Sequence, residues 1–414
     1  MLDRMVDWLA RRTALELALI LAAVAELMFL GHLGDPNKMV FDETHYVRAA
    51  RIIYGLESPA NEEHPILAKW LIGLSMDWFG DTPWGWRVLG TVAGTATALS
   101  IFWIALLLFQ DRRTAMTAGV LALLDQMLFI QARIAMLDTY MAAFLMAGLA
   151  FALRAWRGPG DARWRLAAAG LCLGLAVACK WAAAPYVALA CIAAAIARWR
   201  DPARFTGASL PTPALWIGIP ALAAYFASFA PAFWYQHGPL SLARLLPYQL
   251  DMYVQQTKPL SPHTYMSDWW QWPLISRPIW YFYEQVDGVQ RGILLIGNPA
   301  IMWGGLIAVA ACLWQGVKDR SPALLWAGGI WVFAFALWAV IPKKIGFYYY
   351  YYLPALFLSL ALAGAFGKSR TGQEPAIFLA IALAAFLYFY PIIAALPLVN
   401  DQAFLTWMWF DSWR

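Results

Sequence analysis

The sequence predicts an all-α polytopic membrane protein, and three observations support this fold class. Of the 414 residues, 62% are apolar and only 13% are charged. Apolar runs of about 17 to 25 residues, each long enough to cross a bilayer as a helix, recur along the chain. Basic residues collect in every second connection between these runs. We therefore expect one membrane domain that covers residues 1–414.

The composition also excludes several classes of protein. Soluble domains are roughly half apolar and a quarter charged, so this excess of apolar residues does not fit a soluble core. A disordered chain or a nucleic-acid-binding module would need more polarity or a dense basic face, and the net charge of +5 indicates no particular partner. The four cysteines lie in apolar runs without CxxC spacing, which indicates neither a zinc site nor a disulfide framework.

The apolar runs predict eleven transmembrane helices. The first run follows a basic N-terminal stretch, but no small-residue cleavage site comes after it, so we interpret it as a retained helix. The fifth and sixth runs are separated only by Lys180-Trp181, which predicts a tight turn. The predicted spans are 13–30, 84–108, 114–131, 134–153, 166–180, 183–197, 213–234, 293–315, 321–341, 347–366 and 375–397.

The basic residues of the short connections predict the orientation of the chain. Cytoplasmic loops are enriched in Lys and Arg, so these connections and the N-terminus are expected inside. Two long segments, 31–83 and 235–292, then face outward, and their Trp, Tyr and Pro content favours helices lying in the membrane interface. The residues that set the orientation are Arg4, Arg11, Arg12, Arg112, Arg113, Arg154, Arg157, Arg163, Arg165, Arg198, Arg200, Arg204, Lys318, Arg320, Lys368 and Arg370.

The first outer segment carries ionisable residues where lipid meets water. It opens with the acidic pair Asp42-Glu43, followed by His45. Further on it contains Glu62-Glu63-His64 and then Lys69. Acids in a solvated loop often have no function. Whether these acids form a site therefore depends on the charged residues at the outer ends of the other helices.

Those helix ends gather further charges. Arg133 and Asp138 lie five residues apart at the outer end of an apolar hairpin, Arg87 begins the second helix at that level, and Lys180 ends the fifth. Charges in such places are costly and mark either an interior ion pair or a substrate site. The pattern predicts an anion site beside a carboxylate at the outer membrane surface.

The second outer segment has a dense cluster of aromatic residues beside a cation. Aromatic faces stack on sugars and also anchor loops at lipid headgroups. Because the aromatic residues share one loop with Arg277, we favour a lid over the donor or acceptor site, with a membrane anchor as the alternative. The cluster comprises His263, Tyr265, Trp269, Trp270 and Trp272.

Together with several ordered sequence blocks, these residues resemble the protein O-mannosyltransferases, which use polyprenyl-phosphate mannose and have the C-type glycosyltransferase (GT-C) fold. Asp42-Glu43 with His45-Tyr46 resembles the acidic pair of the family, and Arg133 through Leu137-Asp138 its R-x-x-x-LD block. Five further blocks match in order: Glu63-His64-Pro65-Ile66-Leu67-Ala68-Lys69, Gly170 to Lys180-Trp181, His263 to Arg277-Pro278, Gly297-Asn298-Pro299 and Tyr352-Leu353-Pro354-Ala355.

Two departures from the family pattern are visible. Ile66 stands where a second proline is usual, and the second outer segment lacks the room for the soluble β-trefoil insertion of eukaryotic members. The resemblance therefore implies a short, prokaryotic-type member in the plasma membrane, with its site facing outward. The acceptor remains open.

The resemblance implies an inverting transfer of mannose to Ser or Thr hydroxyls of exported proteins. Asp42 is expected to take the acceptor proton and Glu43 to orient it or bind the acceptor, because a phosphate leaving group needs no strong acid. One base opposite the phosphate gives inversion. Arg87, Lys180 and Arg277 are candidates for binding the phosphate, with Arg133 also near the donor.

Structural alternatives exist for several of these residues. Arg87 could instead pair with Asp42 or Glu43, and Asp138 could bind sugar hydroxyls or neutralise Arg133. His45, His64, Lys69 and the aromatic residues of the second segment are assigned to loop or acceptor contacts. A divalent ion at His45, His64, Glu62 and Glu63 is disfavoured by the resemblance, so neither a cofactor nor a metal is expected.

Two other functions compete with this prediction. One is a GT-C transferase with a lipid or glycan acceptor, and the other is a transporter or flippase. Transport is disfavoured because the charges collect at one face and the chain shows no halves with matching interrupted helices. The expected partners are the lipid-linked donor, the acceptor and membrane lipid, and a partner in the secretion machinery is left open.

Overall fold

A computed structural model describes residues 11–158, 160–208, 212–258, 261–341, 345–367, 369 and 372–414, so Arg4, Lys368 and Arg370 lie outside the described residues. The described chain is mostly helical. The helices are α1 Ala14–Leu30, α2 Glu43–Tyr54, α3 Leu67–Phe79, α4 Pro83–Phe109, α5 Arg112–Leu124, α6 Gln126–Ala132, α7 Leu137–Arg157, α8 Arg163–Cys179, α9 Ala184–Arg200, α10 Thr212–Ala227, α11 Leu242–Gln256, α12 Pro299–Lys318, α13 Pro322–Val340, α14 Tyr352–Phe366 and α15 Gln373–Ile393.

Every predicted apolar run is helical over most of its length, and the chain is a multi-pass membrane protein. Eight helices of the described chain are long and apolar enough to cross a bilayer, or nine if α5 and α6 form one broken span. Helices α1 and α8 have 17 residues each and fall just short of the 18 required, whereas α9 and α10 reach that length together with the 3₁₀ turns next to them. The count of eleven crossings therefore stays a prediction.

The third predicted span is broken rather than straight. Helices α5 and α6 meet at Asp125 with a bend of 62°. The Asp125 side chain accepts a hydrogen bond from the backbone N–H of Met127, 3.0 Å away, and so starts a new helix. A capping residue inside an apolar run therefore ends one helix and begins the next.

The eighth predicted span begins too early, because its first residues belong to a β-hairpin, the one sheet in the described part of a mostly helical chain. Residues Ile279–Val286 (β1) and Val289–Leu295 (β2) form an antiparallel hairpin, with Val286 opposite Val289. The turn residues Asp287 and Gly288 have φ of 54° and 76°, and Asp-Gly is a strong signal for a two-residue hairpin turn. Helix α12 begins only at Pro299, where the Asn298 side chain caps it.

Helices are present in both outer segments, as the sequence suggested. The first segment contains α2 and α3, and the second contains α11 and a 3₁₀ turn at Trp269–Leu274 before the hairpin. Their position relative to lipid stays a prediction. The tight turn predicted after the fifth span is a 3₁₀ turn, Trp181–Ala183, between α8 and α9.

The contacts divide the chain into two compact units. The terminal unit comprises the described parts of Met1–Phe41, Ile101–Arg133 and Pro259–Arg414. The central unit comprises Asp42–Ser100 and the described parts of Ile134–Lys258. The central unit contains the acidic pair. The single domain predicted from the sequence stays a prediction.

Within the central unit, two glycines of α8 bring this helix against α10. A Cβ built on Gly170 would lie 2.1 Å from the carbonyl oxygen of Ile217, and one on Gly174 would lie 2.2 Å from that of Ala221. Only glycine allows the two backbones to approach so closely. These glycines of the predicted family block therefore fix the position of α8, which ends at the candidate site.

Candidate active site

Asp42 lies at the start of α2, at the position that caps the helix. Its carboxylate makes no capping hydrogen bond and instead accepts one from the Tyr46 hydroxyl, with 3.2 Å between Oη and Oδ2. Among the described residues, this is the one side chain that donates a hydrogen bond to Asp42. The half-buried carboxylate is thus oriented by the Tyr46 hydroxyl.

Glu43 turns away from Asp42 into a buried ion pair with Arg87. The guanidinium donates from Nε to Oε1 and from Nη2 to Oε2, both at 2.8 Å, and both side chains are 0% exposed. Oε1 also accepts the backbone N–H of Ala135 at 2.8 Å. The sequence left open whether Arg87 binds phosphate or pairs with an acid, and the structure gives the second arrangement. This pair fastens α2 to α4 and to the segment before α7.

Asp138 and Lys180 form a second buried ion pair among the described residues of the central unit. Lys180 Nζ lies 3.0 and 2.8 Å from the two carboxylate oxygens of Asp138, and both residues are buried. Asp138 therefore pairs with Lys180, whereas the sequence offered sugar hydroxyls or Arg133 as its partners. Lys180 follows the last residue of α8 in an extended conformation, which directs it to the start of α7.

Both charges of the Lys180–Asp138 pair act on the Asp42 carboxyl. Burial raises the pKa of the Asp42 carboxyl, Lys180 opposes this rise, and Asp138 adds to it. His45 and the hydrogen bond from Tyr46 lower the pKa again. The site thus holds a carboxylate whose proton affinity is increased, close to an ammonium group, which is the arrangement expected for a general base beside an anion site.

Lys69 lies beneath the loop that carries His64. Its Nζ is fully buried and donates to the carbonyl oxygens of Ala60 at 3.1 Å, Asn61 at 2.5 Å and His64 at 2.8 Å. Burial lowers the pKa of Lys69 to about 7, and Glu63 and Glu62 oppose this change. Lys69 therefore binds the backbone of this loop, and its predicted role in loop or acceptor contacts stays a prediction. His45 is exposed on the first turn of α2.

Arg133 lies in the terminal unit and binds backbone carbonyl groups. It donates to the oxygens of Phe29 at 2.9 Å and His32 at 3.1 Å, and also to that of Gly31, so it caps the end of α1. Its guanidinium also lies 4.7 Å from the centre of the Phe129 ring. These contacts give Arg133 a structural role that the spacing to Asp138 did not predict.

Arg277, also in the terminal unit, holds the end of the chain. Its Nη1 donates to the carbonyl oxygen of Ser412 at 2.9 Å and its Nη2 to that of Thr264 at 3.1 Å. The guanidinium lies 5.7 Å from the centre of the Tyr265 ring. The contacts connect the second outer segment to residues 412–414.

The aromatic cluster of the second segment divides into packed and open members. Trp272 is buried, and its indole N–H donates to Ser267 Oγ at 3.0 Å. Trp269 lies against Phe335, with 4.9 Å between ring centres. His263 contacts the Tyr265 and Phe347 rings, and both His263 and Trp270 are open to solvent. Because Trp272 is buried, it anchors the segment within its own unit. For the exposed His263 and Trp270, the role of a lid over the donor or acceptor site stays a prediction.

Two further residues, Tyr46 and Gln256, make contacts near Asp42 and His64 for which the sequence predicted no role. Tyr46 follows Asp42 by four residues, so one turn of α2 places its hydroxyl on the carboxylate. This spacing of four residues is visible in the sequence. Gln256 of α11 contacts His64, which is 192 residues away in the sequence, and no local sequence pattern predicts such a contact. In the described part of the chain no group of three His, Cys, Asp or Glu residues is placed to hold a metal ion.

Comparison with solved structures identifies the fold. The chain superimposes on the donor-bound Pmt1–Pmt2 protein O-mannosyltransferase complex of S. cerevisiae with a TM-score of 0.76 at 14% identity, over 97% of this chain and 92% of the other. Its TM-score with ArnT from Cupriavidus metallidurans bound to undecaprenyl phosphate is 0.59 at 18% identity, over 94% and 67%. The fold is that of the GT-C membrane glycosyltransferases.

The family follows from the sequence comparisons. Residues 77–237 match the model of the dolichyl-phosphate-mannose-protein mannosyltransferases, and residues 241–413 match the C-terminal four-helix membrane region of the protein O-mannosyltransferases. The polyprenol-phosphate-mannose–protein mannosyltransferase of Mycolicibacterium smegmatis is 26% identical over 100% of this chain and 94% of its own length. The chain belongs to the protein O-mannosyltransferase family and is an enzyme.

Proposed function

We propose that this enzyme transfers mannose from a polyprenyl-phosphate donor to Ser and Thr hydroxyls of exported proteins. The observation that carries the proposal is the position of Asp42. Its carboxylate stays outside the Glu43–Arg87 pair, accepts one hydrogen bond from Tyr46 and lies close to the Lys180–Asp138 pair. The name of the mycobacterial relative states the same donor and a protein acceptor.

The chemistry follows from these side chains. The acceptor oxygen attacks the anomeric carbon of the sugar while Asp42 takes the hydroxyl proton, and the bond from that carbon to the lipid phosphate breaks. The phosphate departs with the bonding electrons, next to the Lys180 ammonium, which stabilises its charge. Because a single displacement occurs from the face opposite the phosphate, the product is inverted.

Glu43 and Arg87 support the base without touching the substrate in this scheme. Their pair is closed to solvent and fixes the residue that follows Asp42, so it sets the direction of the carboxylate. Asp138 holds Lys180 and leaves its Nζ near the base. The scheme uses one side-chain cation, Lys180, for the phosphate and requires no metal ion.

The topology proposed with this function places the site outside. Eleven crossings with the N-terminus in the cytoplasm put residues 31–83 and 235–292 on the outer face of a prokaryotic plasma membrane. There the site meets proteins as they are exported, so a contact with the secretion machinery is part of the proposal. A transporter or flippase role does not fit membership in a family of transferases.

The experiment that tests the function is a transfer assay with two acceptor fractions. Purified protein receives radiolabelled polyprenyl-phosphate mannose together with either exported membrane proteins or a lipid extract. Label on Ser or Thr of the protein fraction, absent with Asp42→Asn, is expected. Label in the lipid fraction alone would overturn the protein acceptor in favour of a lipid or glycan acceptor, and no label in either fraction would overturn mannosyl transfer.

A further inference from the structure

Gln256, the last residue of α11, contacts the loop that carries His64 within the central unit. Its Nε2 donates to the carbonyl oxygen of Glu63 at 2.5 Å and lies 3.0 Å from His64 Nδ1. Gln256, a residue of the second outer segment, thus holds the loop of the first outer segment that carries His64.

The same contact sets the protonation of His64. The carbonyl of Glu63 can only accept, so the Gln256 amide must present its NH₂ group on this side. The second hydrogen of that group then points to His64 Nδ1, which must be an unprotonated acceptor. His64 is therefore held as the neutral tautomer with its proton on Nε2.

From His64 the contacts continue to Asp42. The His64 ring meets the buried Tyr46 ring edge to face, with 6.0 Å between centres and 68° between planes. The Tyr46 hydroxyl then donates to Asp42 Oδ2. Three successive contacts, Gln256 to His64, His64 to Tyr46 and Tyr46 to Asp42, join the end of α11 to the carboxylate.

We propose that Gln256 is a positioning residue for Asp42, acting through His64 and Tyr46. The inference rests on the proposed function insofar as Asp42 is the base. Without the Gln256 amide, His64 loses the group that fixes its tautomer and ring plane, and Tyr46 loses the surface that holds its hydroxyl on the carboxylate. The second outer segment thereby controls the base of the first.

The test compares Gln256→Leu with Gln255→Leu, an exposed neighbour on the same helix turn, in the full-length purified enzyme. We expect Gln256→Leu to lower kcat roughly tenfold with little change in KM for the donor, since a misplaced base affects the chemical step. The acidic limb of its kcat–pH profile should move to higher pH. Gln255→Leu should match the parent in both respects.

A double variant tests the route. Tyr46→Phe removes the hydrogen bond that lowers the pKa of Asp42, so its acidic limb should also move to higher pH. Because both substitutions break one chain of contacts, Gln256→Leu with Tyr46→Phe should lose no more activity than the worse single variant. If the losses multiply, or if the limb of Gln256→Leu stays where the parent has it, the inference is overturned.

Two controls keep the result interpretable. Should Gln256→Leu not purify as a folded protein, His64→Phe removes the ring nitrogen and keeps an aromatic ring against Tyr46. The same shift of the acidic limb is then expected, and an unmoved limb overturns the inference. Failure of the proposed function is separate, because in that case the parent enzyme itself transfers no mannose.

Discussion

Glu43 and Arg87 share two hydrogen bonds of 2.8 Å in a site closed to solvent, while Asp42, the neighbour of Glu43 in the chain, stays outside that pair. Two adjacent carboxylates therefore have different environments. One is neutralised by a fixed cation, and the other has increased proton affinity. This difference gives separate roles to two acids that the sequence could only present together.

We expect Asp42→Asn to abolish transfer while the protein stays folded in detergent and binds the donor. The amide keeps the shape of the side chain but cannot take the acceptor proton, and general bases contribute roughly 10²- to 10⁴-fold to a rate. Transfer kinetics and donor titration of the same preparation check this. Activity above roughly a tenth of the parent would sink the assignment of the base.

Glu43→Gln should lower stability, and the loss should be partly recovered in the double variant with Arg87→Met. Removing one partner of a buried ion pair leaves an uncompensated charge and costs about 3–5 kcal/mol, whereas removing both leaves none. Thermal unfolding of the single and double variants in detergent measures this. Equal unfolding temperatures of parent and Glu43→Gln would contradict the structural role of the pair.

Lys180→Met should weaken donor binding by about 1.5–3 kcal/mol, the usual value of a hydrogen bond to a charged group, and leave acceptor affinity nearly unchanged. A titration with polyprenyl-phosphate sugar measures the loss, with Lys318→Met, at the exposed last residue of α12, as a control for the removal of one lysine charge. If Lys180→Met binds the donor like the parent but unfolds earlier, the ammonium only neutralises Asp138 and the phosphate is held elsewhere.

The acidic limb of the kcat–pH profile should report Asp42. The base acts only when ionised, so activity is full above its pKa and falls as the pH drops through it. Because burial raises that pKa, the fall should begin at a higher pH than for an ordinary aspartate. Lys180 opposes the rise, so Lys180→Met should move the limb further up. A limb that stays in place in Lys180→Met would show that another group titrates.

EDTA should change the rate of the purified enzyme little. The proposed site meets the departing phosphate with a side-chain cation, and the phosphate leaves without help from a metal ion. Rates before and after chelation, and after return of magnesium, manganese or zinc, measure this. A large loss that one of these ions restores would contradict the prediction, and His45 and Asp42 would then be the first ligands to substitute.

The sequence predicted the helices well because apolar runs of the right length are a local property. It predicted the hairpin poorly, although Asp287-Gly288 was a local signal, because the apolar residues of β2 join without a break to those of α12. Helix length alone did not reveal the break at Asp125 either. In both places a short polar or turn motif inside an apolar stretch decided the structure.

Residue pairing was less predictable than residue type. Arg133 and Asp138 are five positions apart, yet Asp138 pairs with Lys180, which is 42 residues away, and Arg133 caps α1. Which charges meet depends on how helices pack, and spacing in the sequence does not contain that information. The resemblance to the family supplied most of the site residues, while the structure supplied their partners.

The contact of Gly170 and Gly174 with α10 connects the packing of two helices to the position of a charged group. Because no side chains separate the two backbones there, a side chain added at either glycine would push α8 away from α10. Lys180 directly follows α8, so the displacement would carry its ammonium group away from Asp138. A substitution six or ten residues before Lys180 along the chain would therefore change the charge next to the base without altering any charged residue.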